Sequence, residues 1–98
     1  MAVWEIAQLT VANGAHDEFE SIVRSQLAAL KEAGCLDVKL LRAVDKEHTY
    51  LFCILWQSIE HHTEVLKTET ATRLAGAMTL FLTDEPAILH ATTVIDGF

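Results

Sequence analysis

The sequence predicts an α+β fold, a four-stranded antiparallel sheet in βαββαβ order with its helices on one face, in the ferredoxin-like arrangement. Three observations predict it. Tyr50–Gln57 is apolar on both alternating sides: Tyr50, Phe52, Ile54 and Trp56 point one way, Leu51, Cys53 and Leu55 the other. A strand of that kind must be covered on both sides. Ala15–Ala33 carries Phe19, Ile22, Val23, Leu27, Leu30 and Ala33, spacings that mark one helical face. The order strand, helix, two hairpin-linked strands, helix, strand then gives the ferredoxin-like sheet through right-handed crossovers. The helices suffice for one face only. The other is expected to pack against a second copy, giving a homodimer through the sheet face, a dimeric α+β barrel. Burial at about 25 cal/mol per Å² of apolar area can hold such a dimer together.

Each element has its own signal. Val3–Val11 is rich in branched and aromatic residues, and Ala12-Asn13-Gly14 ends it as a turn. The helix over 15–33 has His16, Asp17, Glu18 and Glu20 near its start, where the dipole favours negative charge, and Gly34 at its C-terminal cap. Cys35–Val44 reads as an edge strand, with Leu36, Val38, Leu40 and Val44 on one face and Asp37 and Lys39 on the other. Asp45-Lys46-Glu47 is a polar hairpin connection to the central strand. Ser58 is placed to cap the second helix. That helix runs through Val65 and Leu66, is interrupted around Thr68–Thr72, and resumes over 71–83 until Thr83-Asp84-Glu85-Pro86 stops it. Ala87–Ile95 supplies the last strand.

Composition excludes several functions. The 98 residues suit a single domain spanning 1–98, small enough that oligomerisation is a natural source of extra core. A formal charge of −7, with seven scattered basic residues, argues against nucleic acid, whose affinity comes from clustered Lys and Arg. No stretch has signal-peptide character or membrane-spanning length, so no membrane partner is expected. Cys35 and Cys53 match no zinc or redox spacing, and a reduced, cytoplasmic setting is the simplest expectation. The histidines form no i, i+4 pair, so no metal site is expected.

Three residues are candidates for acid–base chemistry. His62 carries an imidazole that exchanges a proton near neutral pH, though its position also suits an exposed helix turn with no partner to orient the ring. Of the adjacent His61 and His62, about 100° apart on a helix, at most one is expected to face inward. Glu5 lies among apolar neighbours on the first strand, as a buried base or an exposed strand end. His90 sits mid-strand, as a core histidine or a residue reaching a pocket. His16 and His48 read as surface residues, and Arg73 as a solvated one.

The segment Leu55-Trp56-Gln57-Ser58-Ile59-Glu60-His61 ends a strand on Trp, caps, and enters a Glu-containing helix. With the Gly14–Phe19–Glu20 helix start, the Gly34 turn and the Ala87–Ile95 strand, it resembles the antibiotic biosynthesis monooxygenase (ABM) family of dimeric α+β barrels. The resemblance implies a ligand pocket between the sheet and the two helices of each protomer, lined by Trp56. Tyr50, Phe52 and Ile54 share its strand face, and Phe19 and Ile22 with Leu74, Met78 and Phe81 would close the cavity. Anthrone-type members carry an Asn four residues before the Trp and a Tyr six after it. Here Phe52 and His62 stand there. Haem-degrading members use an Asn on the first strand and a Trp and a His on the last helix; the corresponding positions here fall near Ala7, Val65 and Ala75, none able to ligate iron.

The first reading is therefore a cofactor-independent monooxygenase, with neither metal nor flavin, for a small, largely apolar aromatic or quinone-like molecule. In such chemistry a deprotonated substrate reacts with oxygen itself, and the protein supplies a base and a dry pocket. A non-catalytic small-molecule-binding or accessory protein, and a proton-transfer isomerase, are the alternatives.

Overall fold

The computed structural model describes all residues, Met1–Phe98. Its elements are β1 (Val3–Thr10), α1 (His16–Glu32), β2 (Asp37–Arg42), β3 (Thr49–Trp56), α2 (Ile59–Leu66), α3 (Glu69–Thr79) and β4 (Ala87–Ala91). The strands form one sheet in the order β2-β3-β1-β4, with every pairing antiparallel. This is the ferredoxin-like βαββαβ sheet, with the second helix divided into α2 and α3.

The pairing registers decide which residues meet. Glu5 lies between Ile54 of β3 and His90 of β4, and Ala7 between Phe52 and Ile88. The helix-facing side therefore carries Glu5, Ala7 and Leu9 from β1, beside Tyr50, Phe52, Ile54 and Trp56 from β3. All but Glu5 are buried. Helix α1 contributes Phe19, Val23, Gln26 and Leu30, the buried face at spacings of four, three and four. The opposite sheet face carries Trp4, Ile6, Leu51, Cys53 and Leu55, all half-exposed because no helix covers them.

Four details differ from the sequence expectation. The helix break falls at Lys67–Thr68, earlier than Thr68–Thr72, because Thr68 caps a new helix: its Oγ1 accepts from Ala71 N at 3.2 Å and donates to Val65 O at 2.7 Å. Strand β4 stops at Ala91 and not Ile95. Ala91 pairs with Trp4 near the start of β1, so the following residues have little strand left to pair with. Strand β2 is shorter than Cys35–Val44, since Cys35 N closes the helix end on Leu30 O at 3.2 Å. Leu27 lies outside the core at 42% exposure, and Gln26 takes the inward position.

Gly34 adopts φ +95°, the left-handed conformation that a helix end of this kind requires. A Cβ there would stand 2.7 Å from His61 Cε1, so the site needs glycine twice over.

Candidate functional site

Between the sheet and the helices lies an apolar cavity of about 170 Å³. Ala7, Leu9, Phe52, Ile54 and Trp56 form its floor, Leu30 and Ala33 of the α1 end one wall, and Val65, Leu74 and Met78 another. The polar side chains on it are Glu5, Gln26, His62, Thr70 and Thr79, and Glu5 is its sole carboxylate. Gln26 is buried and donates its amide to Leu74 O at 2.9 Å, which ties α1 to α3 and leaves its carbonyl oxygen unbonded.

Glu5 is placed by strand register and held by two donors. Trp56 Nε1 donates to Glu5 Oε1 at 3.0 Å, and His62 Nε2 stands 3.1 Å from the same oxygen. Both donors come from the stretch that ends β3 and begins α2. Ser58 sets that turn, its Oγ accepting from His61 N at 3.0 Å. One helical turn then aims His62 inward, where its ring stacks on Trp56 at 4.8 Å and 8° between planes. His62 Nδ1 meets His90 Nε2 at 2.8 Å. Glu5 lines the cavity, and its Oε2 has no protein partner.

Burial pushes the His62 pKa below the ordinary imidazole value, and the neighbouring His90 and His61 push the same way. The Glu5 carboxylate opposes that shift without overcoming it. The ring is thus neutral at pH 7. A neutral His62 facing an ionised Glu5 carries its proton on Nε2, and its bare Nδ1 accepts from His90 Nε2–H.

The structure sorts the sequence candidates. Glu5, His62 and His90 come together through strand pairing and one helical turn. His62 is buried, not exposed on a polar turn, and it has the orienting partners that the sequence did not reveal. Of the pocket candidates, Trp56, Phe52, Ile54 and Met78 line the cavity. Tyr50 and Phe19 do not. Phe19 is buried between Tyr50 and Phe81, and the Tyr50 hydroxyl is drawn away to Glu20 Oε2 at 2.6 Å. Ile22 and Phe81 are likewise outside the lining. His16 and His48 are half-buried partners, not free surface residues: His16 Nδ1 reaches Tyr50 Oη at 3.0 Å and its Nε2 reaches His48 Nδ1 at 2.9 Å. Gln26 was missed, although its place between Phe19, Val23 and Leu30 at helical spacing was a readable signal.

A family profile described as Antibiotic biosynthesis monooxygenase matches residues 2–76. A candidate antibiotic biosynthesis monooxygenase from Bordetella bronchiseptica has a similar structure, with a TM-score of 0.90 at 21% identity over 96% of this chain and 98% of that one. SnoaB, a cofactor-independent oxygenase from Streptomyces nogalater, gives a TM-score of 0.79 at 25% identity over 98% of each chain. Rv0793 from Mycobacterium tuberculosis gives 0.81 at 12% identity over 100% of both chains. No curated protein matches the sequence significantly.

Proposed function

As the chain belongs to the antibiotic biosynthesis monooxygenase family, we propose that it is a cofactor-independent monooxygenase for a small, largely apolar aromatic or quinone-forming molecule. One observation carries the reading. Glu5 is the sole carboxylate on a largely apolar cavity, and while two donors hold its Oε1 its Oε2 keeps no protein partner. Such a carboxylate is positioned to act as a general base. The similarity to SnoaB supports the oxygenase class.

Glu5 Oε2 takes a proton from an acidic methylene or phenol of the substrate. The electron-rich carbanion or phenolate then reduces dioxygen, and the new C–O bond forms as a peroxide. The Glu5 acid returns its proton to the peroxide, and loss of water leaves a carbonyl. For a methylene the balance is R₂CH₂ + O₂ → R₂C=O + H₂O. The apolar walls keep water from quenching the carbanion. His62, with both nitrogens engaged, is a positioning residue and not the base that touches substrate.

The same reading includes a homodimer. Trp4, Ile6, Leu51, Cys53 and Leu55 form a half-exposed apolar patch beside Leu89, which is 57% exposed. A second copy on this face closes the barrel. No helix is long and apolar enough to cross a membrane, and the two free cysteines suit a reducing compartment such as the cytoplasm. In sedimentation the wild type is expected as a dimer and Ile6→Arg as a monomer. A monomeric wild type removes the barrel.

Anthrone is the probe for activity, in chelator-treated protein under ¹⁸O₂. Oxygen uptake with one labelled oxygen in the ketone product supports the reading. Solvent deuterium exchange without oxygen uptake makes the protein a proton-transfer isomerase. Saturable binding with neither reaction makes it a binding protein.

A further inference from the structure

His90 has no part in the chemistry above, yet its contact with His62 is the shortest in the site. Strand β4 is an edge strand, and its pairing with β1 puts His90 directly beside Glu5. His90 is solvent-exposed, while His62 behind it is 5% exposed. Its Nε2 is committed to His62 Nδ1 at 2.8 Å, and its Nδ1 has no protein partner. The three groups thus run without a gap from the cavity to the solvent. We infer that Glu5, His62 and His90 form a proton relay, which exchanges the proton of the cavity carboxylate with bulk water at the edge of the sheet.

The relay has two complete hydrogen-bonding arrangements. In the first, Glu5 is ionised, His62 Nε2–H donates to Oε1, and His90 Nε2–H donates to His62 Nδ1. In the second, Glu5 is protonated on Oε1 and donates to His62 Nε2, His62 Nδ1–H donates to His90 Nε2, and His90 carries its proton on Nδ1. One proton separates them. It enters from water at His90 Nδ1 as each ring passes on the proton it held, and it leaves by the reverse path. Each ring is neutral before and after, so no lasting charge is placed on buried His62. The groups that face His62 and bias this exchange are Glu5 on β1, His90 on β4 and its helix neighbour His61.

The relay has a purpose once substrate fills the cavity. An apolar ligand covers the free oxygen of Glu5 and excludes the water that would otherwise reset its protonation. A half-turn of the carboxyl group brings a proton taken on Oε2 round to His62, and the exit through His90 then keeps Glu5 in exchange with solvent in that closed state. This use rests on Glu5 as the base, whereas the relay itself is testable without turnover.

The direct test is nitrogen NMR on protein labelled in histidine, titrated from pH 8 to pH 4. His62 is expected to carry its proton on Nε2 at high pH. It should switch to Nδ1 at the midpoint where the Glu5 carboxyl carbon titrates. A His62 that becomes doubly protonated beside an ionised Glu5, or that keeps Nε2–H throughout, overturns the relay. The second arm uses His90→Gln, whose amide can donate to or accept from His62 but cannot pass a proton. Without oxygen, exchange of solvent deuterium into anthrone bound in the cavity is expected to slow about 10²-fold, the low end of what a positioned proton donor contributes. Anthrone binding should be unchanged, and added imidazole should restore the exchange. Full exchange in His90→Gln, or a loss that imidazole does not repair, assigns His90 a structural role. If wild type exchanges no deuterium into anthrone, the reading of Glu5 as the base fails and the NMR titration alone decides the relay.

Discussion

Strand β3 begins and ends at two clusters of nearly the same composition. At its end, Trp56 joins Glu5, His62 and His90. At its start, Tyr50 joins Glu20, His16 and His48. Each has one carboxylate, one aromatic hydrogen-bond donor and two histidines. At the second cluster the Tyr50 hydroxyl donates to Glu20 at 2.6 Å and accepts from His16 Nδ1–H, while His16 Nε2 accepts from His48 Nδ1–H. An open surface groove, shared with Arg42, lies beside them; Arg42 Nη1 stands 3.7 Å from Glu20 Oε2, and the Glu20 side chain is 40% exposed to water. Glu5 differs in two respects: it lines a largely apolar cavity, and no Lys or Arg stands beside it. The comparison teaches that residue type does not separate a chemical site from a structural one. What surrounds the carboxylate does.

Replacing each carboxylate by its amide is the hardest test of that difference. Glu5→Gln is expected to lower anthrone turnover by roughly 10²–10⁴-fold, the range of a lost general base. The fold should persist, since the amide oxygen still accepts from Trp56. Glu20→Gln should leave turnover unchanged and lower stability by about 1 kcal/mol, the scale of one charge-assisted bond at a site open to water. Steady-state kinetics and thermal unfolding of both variants decide the matter. Equal turnover losses would erase the distinction.

The aromatic donors give the next effect, and it appears at high pH. Burial, with the hydrogen bond to Glu20 and that residue's charge, pushes the Tyr50 phenol up to about 12. In the unfolded chain it titrates near 10. Between those values the unfolded chain gives up a proton that the folded chain keeps, so Tyr50 stabilises the fold below pH 10 and that contribution is lost as pH rises. The full span is worth on the order of 2 kcal/mol. Tyr50→Phe should therefore lower stability at pH 8 and flatten its decline above pH 10. A decline of unchanged steepness would place the alkaline sensitivity elsewhere.

The site was partly legible in the sequence, and the reason is geometric. Alternation along β3 assigned Phe52, Ile54 and Trp56 to the helix side, because side-chain direction in a strand is local. The sheet order followed from element order and handedness. The meeting of Glu5 with His90 depends on the register between β1 and β4, which nothing near either residue in the chain records. His62 looked exposed because its own helix turn is polar. Stacking on Trp56 of β3 and the approach of β1 and β4 bury it. Tyr50 shows the converse limit: alternation put it on the correct face, but its hydroxyl is spoken for by α1, beyond the end of the cavity. The early end of β4 has the same origin, since Thr92–Ile95 keep strand-like composition but reach the first residue of β1 at Thr92 and run past it thereafter.

Acid conditions give a smaller effect, centred on the cavity cluster. His62 titrates below its unfolded value of about 6.5 because burial, His90 and His61 disfavour its charged form. Below pH 6.5 the unfolded chain therefore binds a proton that the folded chain refuses. Stability falls with decreasing pH until the folded value is passed, by at most about 1.4 kcal/mol per pH unit. Thermal melts of wild type and His62→Gln between pH 7 and pH 5 should diverge in slope, with the variant flatter. Parallel slopes would mean that His62 titrates in the fold as it does in the unfolded chain, and a wild type that gains stability over the variant as pH falls would mean an ion pair with Glu5.

The smallest expected effect concerns the one histidine beside the cavity that neither cluster uses. His61 packs edge-on against Trp56 at 5.6 Å and covers Gly34, and its Nδ1 is buried without a hydrogen-bond partner. A buried polar atom of that kind carries a desolvation cost with no bond to offset it. His61→Leu keeps a branched side chain of similar reach and deletes the unbonded nitrogen. Stability should stay level or rise, by up to about 1 kcal/mol, with turnover within a few-fold of wild type. His48→Leu should instead lower stability, because it strips the His16 Nε2 of its donor and places a leucine at φ +60°, a conformation branched side chains resist. Unfolding of the two variants side by side tests whether a bonded and an unbonded ring nitrogen differ in sign. A destabilised His61→Leu would show that the ring is held by its packing on Trp56 and Gly34, with the unbonded nitrogen of no consequence.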